Sequence, residues 1–396
     1  MNKNFKIACY GFVEKDSGSV RGANFLVLEE LLKREFQVDF YGRKNFMYPQ
    51  ELCKYKKFNY FDVPQSRIQV GFEKLPSLFK KILMPLVNIL SARKSSGELL
   101  QQAIVANHQL SKYNFLLCLG YHSGFRIDNI PAISWVQGPP QSQWYFIQKL
   151  RRKIISLCGI GLYIKLKVFY ALKAKQAKSE LGFSDVLVCG SQWSKDWLNT
   201  YEIKSKKIEI LPYPVDLDFF KLNSFRSNKM PTDKKVFLWL GRSEPRKRLD
   251  LLLEAYAFLL KERQDVQLKI FGGFTWAQGY KKLIDSFEFP EYLEYQTSID
   301  RLKVPELMSQ CDVLIQPSEG ENFGTSVAEA LCCGLPVIVG QTNGTKDFIS
   351  PSSFVFEEYT AESLKKTMLQ AIEAIEQQRE KLTVDARETA ENNFSV

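Results

Sequence analysis

The stretch PSEGENFGTSVAEALCCGLPVI, residues 317–338, follows the apolar run VLIQ (313–316) and ends within another, VIV (337–339). Apolar runs this short, bounded by turn residues, read as strands buried on both faces of a parallel sheet. Between them Gly320 and Gly324 mark a loop, and the spacing predicts a helix from about Thr325 that stops before Cys333-Gly334-Leu335-Pro336. A helix that starts just beyond a strand offers unpaired N–H groups and the positive end of its dipole, which together suit a phosphate. Glu321 lies in the loop and Glu329 about one turn into the helix. Two carboxylates beside an anion site fit hydrogen bonding to hydroxyls, such as those of a sugar. A purely structural account also stands: Glu321 as a helix N-terminal charge, Glu329 on a solvated face, and the Cys-Gly-Leu-Pro turn as packing.

Upstream, the apolar run at 236–240 leads into GRSEPRKRLD (241–250). Arg242 then sits at the carboxyl end of a strand and Lys247 opens the next helix, so both cations share a sheet edge with the helix start at Thr325. Fixed cations there suit a diphosphate, while Arg246 and Arg248 are expected to be solvated. Further strands are expected at 268–271, 293–295 and 354–356, with helices between them, for instance 249–262 with Leu249, Leu252, Leu253, Tyr256 and Leu260 on one face. Six strands with intervening helices make one doubly wound domain. The first half repeats the pattern, with strands at 5–10, 38–41, 116–119, 132–136, 186–189 and 208–211; residues 45–115 give no clear assignment. The expected class is α/β, two Rossmann-like domains facing across a cleft. Their bounds are expected at 1–215 and 216–375, with a helix at 376–396 returning to the first domain, and a Pro-containing polar linker at 213–231 joins them.

The composition of the 396 residues, 45% hydrophobic and 25% charged, is that of a globular chain. No uncharged apolar run nears the ~20 residues of a membrane span, and the N-terminus does not read as a signal peptide. The eight cysteines form no C-x-x-C pair, and the two histidines are too few for a metal cage. The net charge of +10 is unevenly divided: residues 1–228 hold 34 Lys and Arg against 18 Asp and Glu, and residues 229–396 hold 20 against 26. From Lys149 to Lys178 there are nine basic residues, no acidic one, and many apolar ones between them; Lys74 to Lys94 is similar. Such a helix suits either an anionic membrane surface or a packed helix with a solvated basic face. No nucleic-acid reader fold is legible. Asp216-Leu217-Asp218 spells a D-x-D but falls in the linker and reads as a chance match. Gly159-Ile160-Gly161 lacks the strand and third glycine of a dinucleotide site.

These motifs together resemble the retaining GT-B glycosyltransferases, in particular the group-1 glycosyltransferase family. Its Pro-Ser, two glutamates about a Phe-Gly, and closing Gly-x-Pro-Val-Ile match residues 317–338; its Gly-Arg and following lysine match Gly241, Arg242 and Lys247; and 185–191 (DVLVCGS) with 208–220 (IEILPYPVDLDFF) are similar to the segment that closes the first domain. The resemblance covers the second half almost continuously and the first in patches. It implies a metal-independent, retaining transfer of a hexose-type sugar from a nucleotide-diphosphate sugar to an acceptor hydroxyl of a glycan or glycolipid, with no cofactor and no nucleic acid. Arg242, Lys247 and the N–H groups near Thr325 and Ser326 would hold the diphosphate, Glu329 the ribose, and Glu321 the sugar, with Asn322, Phe323 and Gly324 around it. Gly272 and Gly273 would admit the base. The loop with Gly18, Ser19 and Gly22 would close over the phosphates from the acceptor domain, and His122 is a second candidate there.

Two departures matter. Gln137 stands where many members carry a histidine, so it is expected to orient a hydroxyl rather than take a proton; Tyr213-Pro214 replaces the usual Asn-Gly. The same residues allow a sugar-nucleotide epimerase, a phosphorylase or an inactive GT-B-like partner subunit. The expected location is the cytoplasm, peripheral on the inner face of the membrane.

Overall fold

Short apolar runs separated by helices give two all-parallel sheets. The computed structural model describes residues 5–15, 17–18, 20–42, 48–64, 92–120, 124–203, 205, 207–221, 234–274, 277–349 and 353–396, with side chains from 97 onward in the helix beginning at Ala92. The chain divides into two compact units, the first Met1–Trp144 with Leu166–Leu211, the second Tyr145–Lys165 with Pro212–Val396.

In the order of the chain, the first half contains β1 (Lys6–Gly11), α1 (Val20–Lys33), β2 (Gln37–Gly42), β3 (Phe58–Asp62), α2 (Ala92–Ser111), β4 (Phe115–Leu119), β5 (Ala132–Val136), α3 (Pro140–Lys149), α4 (Arg151–Cys158), α5 (Ile160–Leu181), β6 (Val186–Cys189), α6 (Gln192–Thr200) and β7 (Lys207–Ile210). The first unit's sheet runs β3-β2-β1-β4-β5-β6-β7. Its interior strands are buried on both faces, β1 and β2 each through four consecutive residues, which is why they read as unbroken apolar runs. Strand β3 lies at the edge, and its half-exposed Phe-Asn-Tyr-Phe-Asp carries no such run.

The second half contains β8 (Lys235–Leu240), α7 (Leu249–Leu260), β9 (Val266–Phe271), α8 (Gly279–Asp285), β10 (Leu293–Gln296), α9 (Val304–Ser309), β11 (Val313–Gln316), α10 (Thr325–Cys332), β12 (Val337–Gly340), β13 (Phe354–Phe356) and α11 (Ala361–Phe394). The second unit's sheet runs β10-β9-β8-β11-β12-β13. Its core gathers Phe237, Trp239, Leu252, Tyr256, Ile270 and Ile315 with Met368 and Ile372 of α11. The order reverses between β8 and β11, and the crevice beyond the carboxyl ends of two such strands is where open α/β sheets bind ligands.

The sequence-based domain bounds need correcting. Residues 145–165 belong to the second unit, with Leu157 and Cys158 packed on its core. Residues 376–396 stay in that unit as well. The backbone leaves helical values at Gln378 (φ −147°), and beyond it Arg387 donates to the carbonyls of Cys332 (2.7 Å) and Phe220 (2.9 Å) while Phe394 meets the Phe323 ring edge-on at 5.5 Å.

Candidate functional site

Two loops leave the carboxyl ends of β8 and β11 in the second unit and bring five charged side chains together. Lys247 lies in a 3₁₀ turn, Pro245–Lys247, ahead of α7 rather than in the helix itself. Its ammonium donates to the Glu321 carboxylate, and Arg246 donates to the same oxygen at 2.9 Å. Burial alone would raise the Glu321 carboxyl, but the charges of Arg246 and Lys247 outweigh it and hold it at about 2. Burial moves the Lys247 ammonium the other way, below its ordinary value, against the pull of Glu321.

Beside this cluster, Arg248 donates to Glu319 at 2.5 Å and approaches Asp250 at 3.4 Å. Lys149 of α3 reaches Glu319 at 2.5 Å and Lys153 of α4 reaches Asp250 at 3.2 Å, so the borrowed helical segment is tied to both loops. Arg246 and Arg248 were expected in solvent. Both are instead enclosed, with side chains 15% and 9% exposed, because two buried acids, Glu321 and Glu319, need partners there. Glu319 carried no signal beyond its place in the Ser-Glu-Gly-Glu run.

The helix start forms as the sequence predicts. Gly324 caps α10 at φ 83°, a left-handed value that favours glycine, and a Cβ there would lie 2.9 Å from Gln316 Oε1. The N–H groups of Thr325 and Ser326 have no acceptor among the described residues, and Gln316 donates to Ser326 Oγ at 2.7 Å. Buried polar atoms without partners among the described residues collect at this edge: Ser243 Oγ, Ser318 Oγ and Gln316 Oε1.

Glu329 is buried, not on a solvated face. Burial raises its pKa while Arg301, 2.7 Å away and missed in the sequence, lowers it. The Phe323 ring does not line a pocket; it is 1% exposed and packs on Tyr213 at 4.9 Å. Tyr213, whose role the sequence left open, accepts a 2.5 Å hydrogen bond from Asn322 Nδ2 and so fixes the loop. Arg242 is the exposed cation of the group, with Glu244 at 3.5 Å. Gly272 (φ 155°) owes its lack of a side chain to a neighbour, since a Cβ would fall 1.6 Å from the Gly241 carbonyl oxygen, whereas Gly273 is half-exposed. The Asp216 carboxylate accepts from the N–H groups of Asp218 and Phe219, as a turn cap does.

In the first unit, Gln137 follows β5, and its buried Nε2 has no partner among the described residues. Gly18 is exposed and Gly22 half-buried at the start of α1. Ser19 and His122 lie outside the described residues, as does the basic stretch up to residue 91.

Residues 220–389 match the family model of the glycosyl transferases group 1. Over that stretch the chain is similar to that family. The match spans the two loops that follow β8 and β11. Among curated relatives, an uncharacterised glycosyltransferase, YqgM of Bacillus subtilis, is 26% identical over 165 residues, which are 42% of this chain and 44% of that protein. A D-inositol 3-phosphate glycosyltransferase of Streptomyces scabiei is 27% identical over 158 residues, 36% and 35% of the two chains. The chain thus spans less than half the length of the curated relatives it matches. Among solved structures, sucrose-phosphate synthase of Thermosynechococcus elongatus superposes with a TM-score of 0.68 at 16% identity, over 99% of this chain and 95% of that one. HepE of Anabaena in complex with UDP-glucose gives 0.63 at 15%, over 99% and 96%. The fold is therefore GT-B, with two parallel sheets of the expected kind. Among the described residues, no helix is long and apolar enough to cross a membrane.

Proposed function

We propose that the protein moves a hexose-type sugar from a nucleotide-diphosphate sugar to an acceptor hydroxyl with retention of configuration and without a metal. One observation carries this reading: a buried glutamate held ionised by Arg246 and Lys247 beside a helix start whose N–H groups lack acceptors, at the switch point of the sheet. As the bond between the anomeric carbon and the leaving phosphate oxygen breaks, negative charge grows on that oxygen, and Arg242, Lys247 and the Thr325 and Ser326 N–H groups stabilise it. The acceptor oxygen bonds to the anomeric carbon on the same face and passes its proton to the departing phosphate. Glu321 accepts from sugar hydroxyls, Glu329 from the ribose, and Gln137 orients a hydroxyl. HepE, whose complex contains UDP-glucose, shares the fold and supports the donor class.

The test is a thermal-shift panel of UDP, GDP, ADP, dTDP and CMP on wild type and Arg242→Ala. Arg242 is exposed, so its removal spares the fold. One nucleotide at 100 times its dissociation constant stabilises wild type by ~2.7 kcal/mol and the variant by much less. No shift with any nucleotide overturns the reading.

The finer part of the proposal is an acceptor presented at an anionic membrane. Ile155, Ile160, Ile164 and Val168, from 36% to 63% exposed, lie among the cations of the segment from Lys149 to Lys178, the pattern of an interfacial helix.

A further inference from the structure

A groove of about 680 Å³ opens in the first unit, away from Gln137. Its walls include residues leading into three neighbouring strands: Arg126 before β5, Phe183 before β6 and Tyr201 before β7. It therefore lies at the amino-terminal edge of the sheet, whereas Gln137 follows the carboxyl end of β5. Helix α3 supplies Gln141 and Trp144, and α5 supplies Ala171, Ala174, Lys175 and Lys178. A volume of this size with mostly apolar walls and a few polar groups is that of a small-molecule site.

Two observations indicate what would fill it. Gln141 is 2% exposed; its Nε2 donates to the Ala174 carbonyl at 3.2 Å, but among the described residues its Oε1 has no donor, and one turn on along α3 the buried Trp144 Nε1 has no acceptor. A hydroxyl, which both donates and accepts, satisfies the two together. Second, Lys175 and Lys178 are exposed and make no ion pair among the described residues, and Arg126 gives one donor to the Gly182 carbonyl at 3.3 Å; Glu202 is the acid on the wall. The surplus is positive. Val168, 54% exposed and on the same face of α5 as Ala171 and Lys175, extends the apolar wall outward.

We infer that this groove binds a single-chain glycerol-phosphate lipid. The chain lies along Ala171, Ala174, Phe183 and Tyr201, the phosphate meets Lys175, Lys178 and Arg126, and the free glycerol hydroxyl bridges Gln141 and Trp144. The site is separate from the donor residues, so it stands or falls without them.

Equilibrium dialysis of the full chain with radiolabelled 1-lauroyl lysophosphatidate, kept below its micelle concentration, tests this. Wild type binds it saturably at one site. The surface variant Lys175→Glu/Lys178→Glu, with an unchanged far-ultraviolet circular dichroism spectrum, binds at least tenfold more weakly, and Ala171→Trp, which fills the groove, also weakens binding. Glycerol 3-phosphate and monolauroylglycerol each compete at least tenfold less well than the lysolipid. Absence of saturable binding, equal affinity in the charge-reversed variant, or equal competition by head or chain alone overturns the inference.

Discussion

Glu321 sits where burial and charge pull against each other, and charge wins. Its carboxyl, ordinarily near 4.5, is held at about 2 by Arg246 and Lys247. A carboxylate whose pKa is depressed on folding adds stability that is complete above the unfolded value and disappears as pH falls through the folded one. The contribution of this residue to the stability of the unit should therefore be constant above about pH 5 and fall by roughly 3 kcal/mol between pH 4.5 and 2, as acid titrations of urea unfolding would read. Arg246 and Lys247 stay charged throughout that window. Glu321→Gln should cost about 3 kcal/mol, since it leaves two enclosed cations facing an amide, and it should remove the acid-dependent loss. A variant that keeps the wild-type acid profile would assign the loss to other carboxylates. At this scale the sequence puts Lys247 and Glu321 at one sheet edge, where the two side chains meet, yet misplaces Arg246 and Arg248. A lysine- and arginine-rich loop reads as solvated unless the buried acids that face it, 71 and 75 residues later in the chain, are known.

Among the elements, the strands of both sheets are legible because their central residues are buried on both faces. Ala132–Val136, Val186–Cys189, Val313–Gln316 and Phe354–Phe356 match residue for residue. Edge strand β3 is not legible, since one neighbour and partial exposure leave it without an apolar run. Helix α10 is set by Gly324, whose backbone no sequence pattern needs to explain beyond its glycine. Where β8 and β9 end, their loops interlace: Gly241 N–H donates to Phe271 O and Ser243 N–H to Gly273 O, both at 3.0 Å. Gly272→Ala would drive a methyl into the Gly241 carbonyl. It should destabilise the second unit by about 2 kcal/mol or more and weaken nucleotide binding, as paired urea and thermal-shift curves would show. A wild-type urea midpoint would mean that the loops part freely.

At the scale of the whole molecule, the basic excess lies in the first 228 residues and the residues proposed to hold the donor lie in the second unit. Calorimetry should accordingly show a nucleoside diphosphate raising the transition of the second unit, with the first following only as far as the two unfold together. Cosedimentation with anionic liposomes should be strong at 0.01 M salt and fall steeply toward 0.15 M, as the screening length shrinks from ~30 to ~8 Å. Binding that ignores salt, or equal binding to neutral liposomes, would count against a charged contact with the membrane.

Residues 145–165, which the second unit takes from the middle of the chain, bear on how the protein can be taken apart. A fragment beginning at 212 would leave Glu319 and Asp250 each short of a lysine and would strip Leu157 and Cys158 from the core. It should express as a soft, aggregation-prone species on size-exclusion chromatography, and fusing 145–165 to its front should restore a single monomeric peak. Single-crossover chimeras with related chains should fail for the same reason, and recombination between them would have to exchange two stretches at once.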